Sequence, residues 1–133
     1  MLILDSSAAL AWALEDETPA LASLESLVHE RVTVPSHWIL EVVNGLRMAI
    51  RRRRLKPGDG TLVLAQLAIL PIKSDPETSV RGWKEIPALA DKYGLTAYDA
   101  AYLELALRLD VPLVTLDQDL ARAARAAGVP LFA

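Results

Sequence analysis

Four acidic side chains stand in apolar sequence surroundings, where an unpaired charge would be costly. Two of them directly follow short apolar runs of the kind that form buried strands, and the other two interrupt apolar stretches with helical spacing. An ionised carboxylate is expensive to bury alone, so each is expected to have a partner. The four are Asp5, Glu41, Asp99 and Asp117.

The sequence offers few local partners for these acids. No Lys or Arg lies within four positions of Asp5, Glu41 or Asp99. Either distant arginines pair with the acids or the acids share a cation, and carboxylate oxygens with water are the ligands of Mg²⁺ or Mn²⁺. Zinc is disfavoured because the chain has no cysteine and its two histidines, His29 and His37, lack ligand spacing. The absence of cysteine also excludes a thiol nucleophile.

Ordinary structural roles compete with this interpretation. Asp5 and Asp117 could each be the N-cap of the helix that follows, and Asp99 could be a first-turn acid favoured by the helix dipole. Glu41 is expected in the middle of a helix and largely buried, where a capping role is not available. Asp119 could replace or supplement Asp117 as a ligand, although N-cap of the last helix is its more ordinary role.

The apolar pattern alternates short runs with helical periodicity, which predicts strands joined by helical crossovers. Such connections indicate a parallel sheet, so we expect a three-layer α/β/α fold with ligands bound at the carboxyl ends of the strands. The expected strands cover residues 2–4, 32–34, 71–72, 111–115 and 129–132. The expected helices cover 6–14, 19–30, 37–53 with Ser36 as N-cap, 60–69, 77–92 with a possible disturbance at Pro87, 97–109 with Thr96 as N-cap, and 119–127, with Gly94 and Gly128 as helix stops.

Length and composition predict one globular domain spanning residues 1–133. The 133 residues are 53% apolar and only 5% aromatic, so the core should be aliphatic. The net charge of −3 argues against a generally basic surface, although it permits a local basic patch. No segment has the pattern of a signal peptide or a membrane span, so the expected location is cytoplasmic.

The segments that carry the four acids also resemble a known family. Residues 2–8, 35–44, 95–102 and 113–117 are similar to the four motif regions of PIN-domain nucleases, in the usual order and over the whole chain. Within that family the resemblance is strongest to the VapC toxins of bacterial and archaeal toxin–antitoxin pairs. It implies a metal-dependent endoribonuclease, silenced by a small VapB-like antitoxin and assembled as a homodimer.

The resemblance also implies roles for individual residues. The catalytic acids, which would hold Mg²⁺ or Mn²⁺, would be Asp5, Glu41, Asp99 and Asp117. Polar residues that would aim the carboxylates or contact phosphate are Ser6, Asn44 and Thr115. The basic run that could bind RNA is Arg51, Arg52, Arg53 and Arg54, unless it only complements the dipole of the helix before it.

Other functions fit the sequence less well. A receiver domain needs a second early acid and a later lysine, a haloacid-dehalogenase-like domain needs Asp-x-Asp early, and a dinucleotide-binding domain needs a glycine-rich turn after the first strand. None of these features accompanies Asp5. The alternative from a different class is a non-catalytic interaction module with the same fold.

Overall fold

A parallel sheet of four short strands forms the centre of the molecule. The computed structural model describes residues 1–14 and 30–132. Within these residues the strands are β1 (Leu2–Leu4), β2 (Val32–Val34), β3 (Ile72–Ser74) and β4 (Leu113–Val114). They pair in the order β3-β2-β1-β4, all parallel, and helices flank the sheet. The predicted parallel α/β architecture is confirmed.

The order of the strands fixes where a ligand can bind. The chain leaves β1 on the side of β2 and β3 and returns on the other side to form β4, so the strand order reverses at β1. A crevice opens at the carboxyl ends of the strands where the order reverses. The Asp5 N–H donates to the Val114 carbonyl at 2.9 Å, which holds the ends of β1 and β4 side by side.

Seven helices occur in the described part of the chain. Thr96 caps the sixth helix, Ala97–Leu109, because its Oγ1 accepts the Asp99 N–H at 3.1 Å, as the sequence predicts. Gly94 and Gly128 end the helices before them with φ of 65° and 80°, in the left-handed region that glycine tolerates. The helices are α1 (Ser6–Ala13), α2 (Trp38–Arg51), α3 (Pro57–Ala68), α4 (Thr78–Arg81), α5 (Glu85–Tyr93), α6 (Ala97–Leu109) and α7 (Gln118–Ala127).

Two helices differ from the prediction in ways that bear on the site. α2 begins at Trp38 after His37, so Ser36 is not its N-cap, and Glu41 lies in the first turn rather than mid-helix. The predicted helix 77–92 is two helices, α4 and α5, and the break falls at residues 82–84 rather than at Pro87. Pro87 is the third residue of α5, where a missing N–H costs no hydrogen bond.

The remaining differences are mostly shifts of element ends. α3 begins at Pro57 rather than at residue 60, β3 runs over Ile72–Ser74, and β4 is shorter than predicted. The predicted strand 129–132 was wrong, since only a single bridge between Leu113 and Leu131 forms there. The predicted helix 19–30 lies almost wholly outside the described residues. Within the described ranges, no helix is both long and apolar enough to cross a membrane.

Candidate active site

Asp5 is buried at the carboxyl end of β1 and is held by three hydroxyl groups. Its side chain is almost fully buried, with 3% of its surface exposed. Its Oδ2 accepts from Thr115 Oγ1 at 2.6 Å and from Ser7 Oγ at 2.7 Å, and its Oδ1 accepts from Ser6 Oγ at 3.4 Å. Asp5 occupies the N-cap position of α1 but makes no side-chain capping bond. The capping alternative therefore does not explain this carboxylate.

Glu41 lies in the first turn of α2 and is connected to Asp5 through Ser6. Its Oε1 accepts a 2.5 Å hydrogen bond from the Tyr102 hydroxyl and a 3.3 Å bond from Ser6 Oγ. The His37 Nε2 lies 3.5 Å from the same oxygen. Ser6 thus contacts both Glu41 and Asp5, and connects the first two acids. Glu41 is buried over most of its side chain, as expected, but 30% of it remains exposed.

The other two acids come from the starts of α6 and α7. Asp99 is partly buried in the first turn of α6. Asp117 is the N-cap of α7, and its Oδ1 accepts the Leu120 N–H at 2.9 Å. The capping role foreseen for Asp117 is therefore present, and the one predicted for Asp119 was wrong. Asp119 instead forms an exposed pair with Arg122 at 2.9 Å.

The four carboxylates share one electrostatic environment. Burial raises the pKa of Asp5 above its ordinary value of 3.8, and hydrogen bonds from Thr115 and Ser7 oppose this only in part. Burial, together with the negative charges of the other three acids, raises the pKa of Asp99 to about 6. Like charges held this close in the folded chain attract either a proton or a cation.

The donor set fits a hard divalent cation. Carboxylate and hydroxyl oxygens surround the cleft, and after burial the charges of the other three acids contribute to the raised pKa of Asp99, a repulsion that Mg²⁺ or Mn²⁺ would relieve. Among the described residues no three acidic or histidine side chains already stand at the spacing of a completed metal site. The carboxylates would therefore have to draw together around an ion.

Two further predictions concerned Asn44 and the arginine run. Asn44 is exposed on α2, and its side chain makes no hydrogen bond to another described residue. The exposed run from Arg51 to Arg54 begins ten residues after Glu41, which is about 15 Å along the helix axis. Among the described residues, Asn44, Arg51, Arg52 and Arg53 form no hydrogen bond or ion pair with the four acids.

Three residues that the sequence does not single out also contact the acids. Ser7 donates to Asp5 and accepts the Leu116 N–H at 3.0 Å, so it ties the end of β1 to the loop after β4. Tyr102 and His37 both contact Glu41. Only the position of His37, four residues before Glu41 on one helix face, could have indicated its contact.

A second group of buried acids proves to be structural. Asp75 and Glu104 are 6% and 5% exposed, yet both bind the guanidinium of Arg108, with shortest distances of 2.6 and 2.8 Å. Burial alone would raise the pKa of Asp75, but hydrogen bonds from Arg108, the Glu77 N–H and Thr78, together with the charge of Arg108, outweigh burial and lower it. Glu104 interrupts an apolar run as Glu41 does, but it has Arg108 four residues later. An arginine partner thus separates these structural acids from those of the cleft.

A short parallel sheet with acids gathered at its carboxyl edge is typical of one class of nuclease fold. A family model described as PIN domain matches residues 2–126. The chain therefore belongs to the PIN domain family.

Individual relatives narrow the resemblance to the VapC proteins. Ribonuclease VapC12 of Mycobacterium tuberculosis is 35% identical over 127 residues, covering 92% of this chain and 91% of that protein. Among solved structures, PAE2754 of Pyrobaculum aerophilum is 26% identical with a TM-score of 0.69, covering 92% of this chain and 78% of that one. VapBC2 of Rickettsia felis shares the fold at a TM-score of 0.68 and 16% identity, covering 98% of this chain and 96% of that one.

Proposed function

We propose that the protein is a metal-dependent endoribonuclease and the toxin of a toxin–antitoxin pair. The observation that carries this proposal is the gathering of four carboxylates from four elements at one edge of the sheet, where the pKa of Asp99 rises to about 6. The similarity to a ribonuclease, VapC12, over most of both chains supports RNA as the substrate. We expect the protein to act in the cytoplasm, as a single domain.

Asp5, Asp99 and Asp117 would hold Mg²⁺ or Mn²⁺, and Glu41 would complete the site. When bound, such an ion offsets the charge that builds up on a phosphodiester during hydrolysis. The chain itself must keep the carboxylates ionised and aimed. The hydroxyl donors of Thr115 and Ser7 do this for Asp5, because hydrogen bonds to a carboxylate favour its charged form.

Glu41 is the residue best placed to orient and deprotonate the attacking water. Tyr102 and Ser6 both donate to its Oε1, which leaves Oε2 to accept a hydrogen bond from water. The side chain is also the more exposed of the two acids that Ser6 connects, so water can reach it. A fixed base within hydrogen-bond reach of its proton donor is the requirement for general base catalysis.

The arginine run would contribute binding rather than chemistry. Because Arg51 lies about 15 Å along α2 from Glu41, the run could contact phosphates several nucleotides from the cleaved bond. Such contacts hold a strand without reading its sequence. We therefore expect the arginines to affect affinity and its salt dependence more than the rate of the bound complex.

An exposed apolar groove supports a protein partner. Trp38, Val43 and Leu64 line a groove of about 450 Å³ between α2 and α3. Leu40 on α2 is 70% exposed, and Ile69, which directly follows α3, is 84% exposed. Exposed apolar surface of this kind marks protein interaction sites. We propose a small VapB-like antitoxin as one partner and a second copy of the chain as another.

Cleavage of a labelled RNA pool of mixed sequence tests the catalytic proposal. We expect cleavage with Mg²⁺ or Mn²⁺, none with EDTA, and none for Asp5→Asn in either condition. Asp119→Asn is the matched control, since Asp119 is an exposed acid two residues after Asp117 whose carboxylate pairs with Arg122. Undiminished cleavage in EDTA by purified protein would refute the metal requirement.

The non-catalytic alternative makes the opposite prediction for the same assay. An interaction module would bind its partner equally well as the wild type and as Asp5→Asn, and neither protein would cut RNA. Co-purification with the product of a short adjacent reading frame would support the antitoxin. Light scattering of the isolated chain would test the homodimer.

A further inference from the structure

An exposed aromatic ring stands at the rim of the acidic cleft. Tyr98 directly precedes Asp99 in the first turn of α6, and 62% of its surface is exposed. Its ring contacts the ring of His37, with centroids 5.6 Å apart and planes tilted by 55°. His37 in turn meets Tyr102 edge-on at 5.3 Å, and Tyr102 binds Glu41. Tyr98 is thus the outer member of a row of three rings that ends at a cleft acid.

This row holds Tyr98 without covering it. The His37 Nε2 is buried and makes no hydrogen bond to a described residue, so packing between two tyrosines and the 3.5 Å contact with Glu41 Oε1 position the imidazole. Tyrosine has only two side-chain torsions, so little entropy is lost when a flat ligand packs against it. Leu116, which precedes Asp117, is 39% exposed, so an apolar side chain also adjoins an acid from the β4 side.

A negatively charged cleft gives a polyanion little affinity of its own. The four acids repel phosphate groups until a cation is present, so binding energy must come from other parts of the substrate. Aromatic side chains bind unpaired nucleobases by stacking, and every base has a face that can stack. Bases inside a duplex cannot reach such a ring because they are already stacked and paired.

We propose that Tyr98 is a platform on which an unpaired nucleobase stacks next to the scissile phosphodiester, with His37 as the residue that positions it. This inference rests on the proposed ribonuclease function and adds to it the side chain that would hold a base beside the cleaved bond. Tyr98 contributes affinity and local strand selection, while the acids contribute the chemistry.

Binding measured apart from cleavage tests the platform. The full chain carrying Asp5→Asn is titrated, in Mg²⁺, with three fluorescently labelled probes of equal length: a single-stranded RNA of mixed sequence, the corresponding duplex, and a strand whose bases are absent. Adding Tyr98→Ala is expected to weaken binding of the single strand about 5-fold or more. Tyr98→Phe is expected to bind within about 2-fold of the parent, because its ring also stacks.

Two controls separate stacking from other effects. Binding of the duplex and of the base-free strand should be unchanged by Tyr98→Ala, since neither offers an unpaired base. Trp83→Ala removes a ring that is 89% exposed on the connection between α4 and α5, and should change none of the three affinities. Melting curves of the Tyr98 variants should match the parent, because the side chain is mostly exposed.

The outcomes also distinguish this inference from the proposed function. Equal single-strand affinity for Tyr98→Ala and its parent would overturn the platform, as would an equal loss for the base-free strand. If the active protein cuts no RNA while the Tyr98 dependence of binding holds, the catalytic proposal fails and the stacking site stands.

Discussion

Replacing Asp99 by asparagine should stabilise the metal-free protein. The ionised carboxylate is held in a partly buried position near three like charges, which raises its pKa from 3.8 to about 6. Without a discount for solvent, a pKa difference of this size corresponds to about 3 kcal/mol of destabilisation of the folded protein when Asp99 is ionised. Asp99 is only partly buried, and screening by solvent reduces the figure to about 1 kcal/mol. The asparagine also loses the favourable interaction of a first-turn acid with the helix dipole, which slightly reduces the expected gain in stability.

The sign of the effect follows from proton binding. Because the folded state binds this proton more tightly than the unfolded state, stability falls as the pH rises from 3.8 to about 6 and stays lower above that range. Asp99→Asn should therefore raise the Tm by roughly 3–5 °C at pH 7.5 in EDTA. The gain should shrink between pH 6 and pH 4, where wild-type Asp99 is itself protonated when folded.

Differential scanning calorimetry of both proteins, in EDTA and in saturating Mg²⁺, provides the measurement. Mg²⁺ should reverse the order, since an ion at 100 times its Kd stabilises the wild type by about 2.7 kcal/mol and the variant by less. Asp119→Asn, an exposed first-turn acid of α7, is the control and should be neutral or slightly destabilising in both conditions. A lower Tm for Asp99→Asn than for the wild type in EDTA at pH 7.5 would refute the shared repulsion.

Three further predictions address separate parts of the molecule. Replacing the run from Arg51 to Arg54 with glutamine should flatten the slope of log affinity against log salt by about 0.7 for each phosphate that the variant no longer neutralises, and an unchanged slope would exclude the run from RNA binding. Arg108→Met should lower the free energy of unfolding in urea by about 3–5 kcal/mol, because two buried carboxylates lose their shortest ion pairs; a decrease below about 1 kcal/mol would show that Arg81 and the other donors around them suffice. Thr115→Val should raise the pKa of Asp5 further, because it removes a hydrogen bond to the ionised carboxylate, so that the loss of cleavage relative to the wild type grows as the pH is lowered; a loss that is the same at every pH would contradict this.

Local chemistry explains what could be predicted from the sequence. The apolar runs of β1 and β2, the Thr96 cap and the glycine stops each depend on neighbouring residues, and the structure confirms them. Parallel topology follows from strands that alternate with helices. The end of the chain was predicted less well, because residues 129–132 are apolar enough for a strand but pair with β4 only at Leu131.

The interior of the site depends on contacts that no local pattern contains. Tyr102 and Glu41 are 61 residues apart, and nothing around either indicates that the tyrosine hydroxyl would bind that carboxylate. The choice between cap and cleft residue was likewise open from sequence. Asp5 and Asp117 both occupy N-cap positions, but only Asp117 uses a side-chain oxygen to cap. That choice is made by the hydroxyls near Asp5, one of which comes from Thr115, 110 residues further on.

The long reach of the Thr115 bond has a consequence for the chain during its own synthesis. A nascent chain has Asp5 from the start, but it gains the Thr115 donor and Asp117 only after β4 has left the ribosome and paired with β1. If the protein cuts RNA as proposed, it stays inactive until α7, which Asp117 caps, has also been made and has folded. Under the proposed function, RNA near the growing chain would meet an incomplete site until residues 113–117 have been made and have folded against β1.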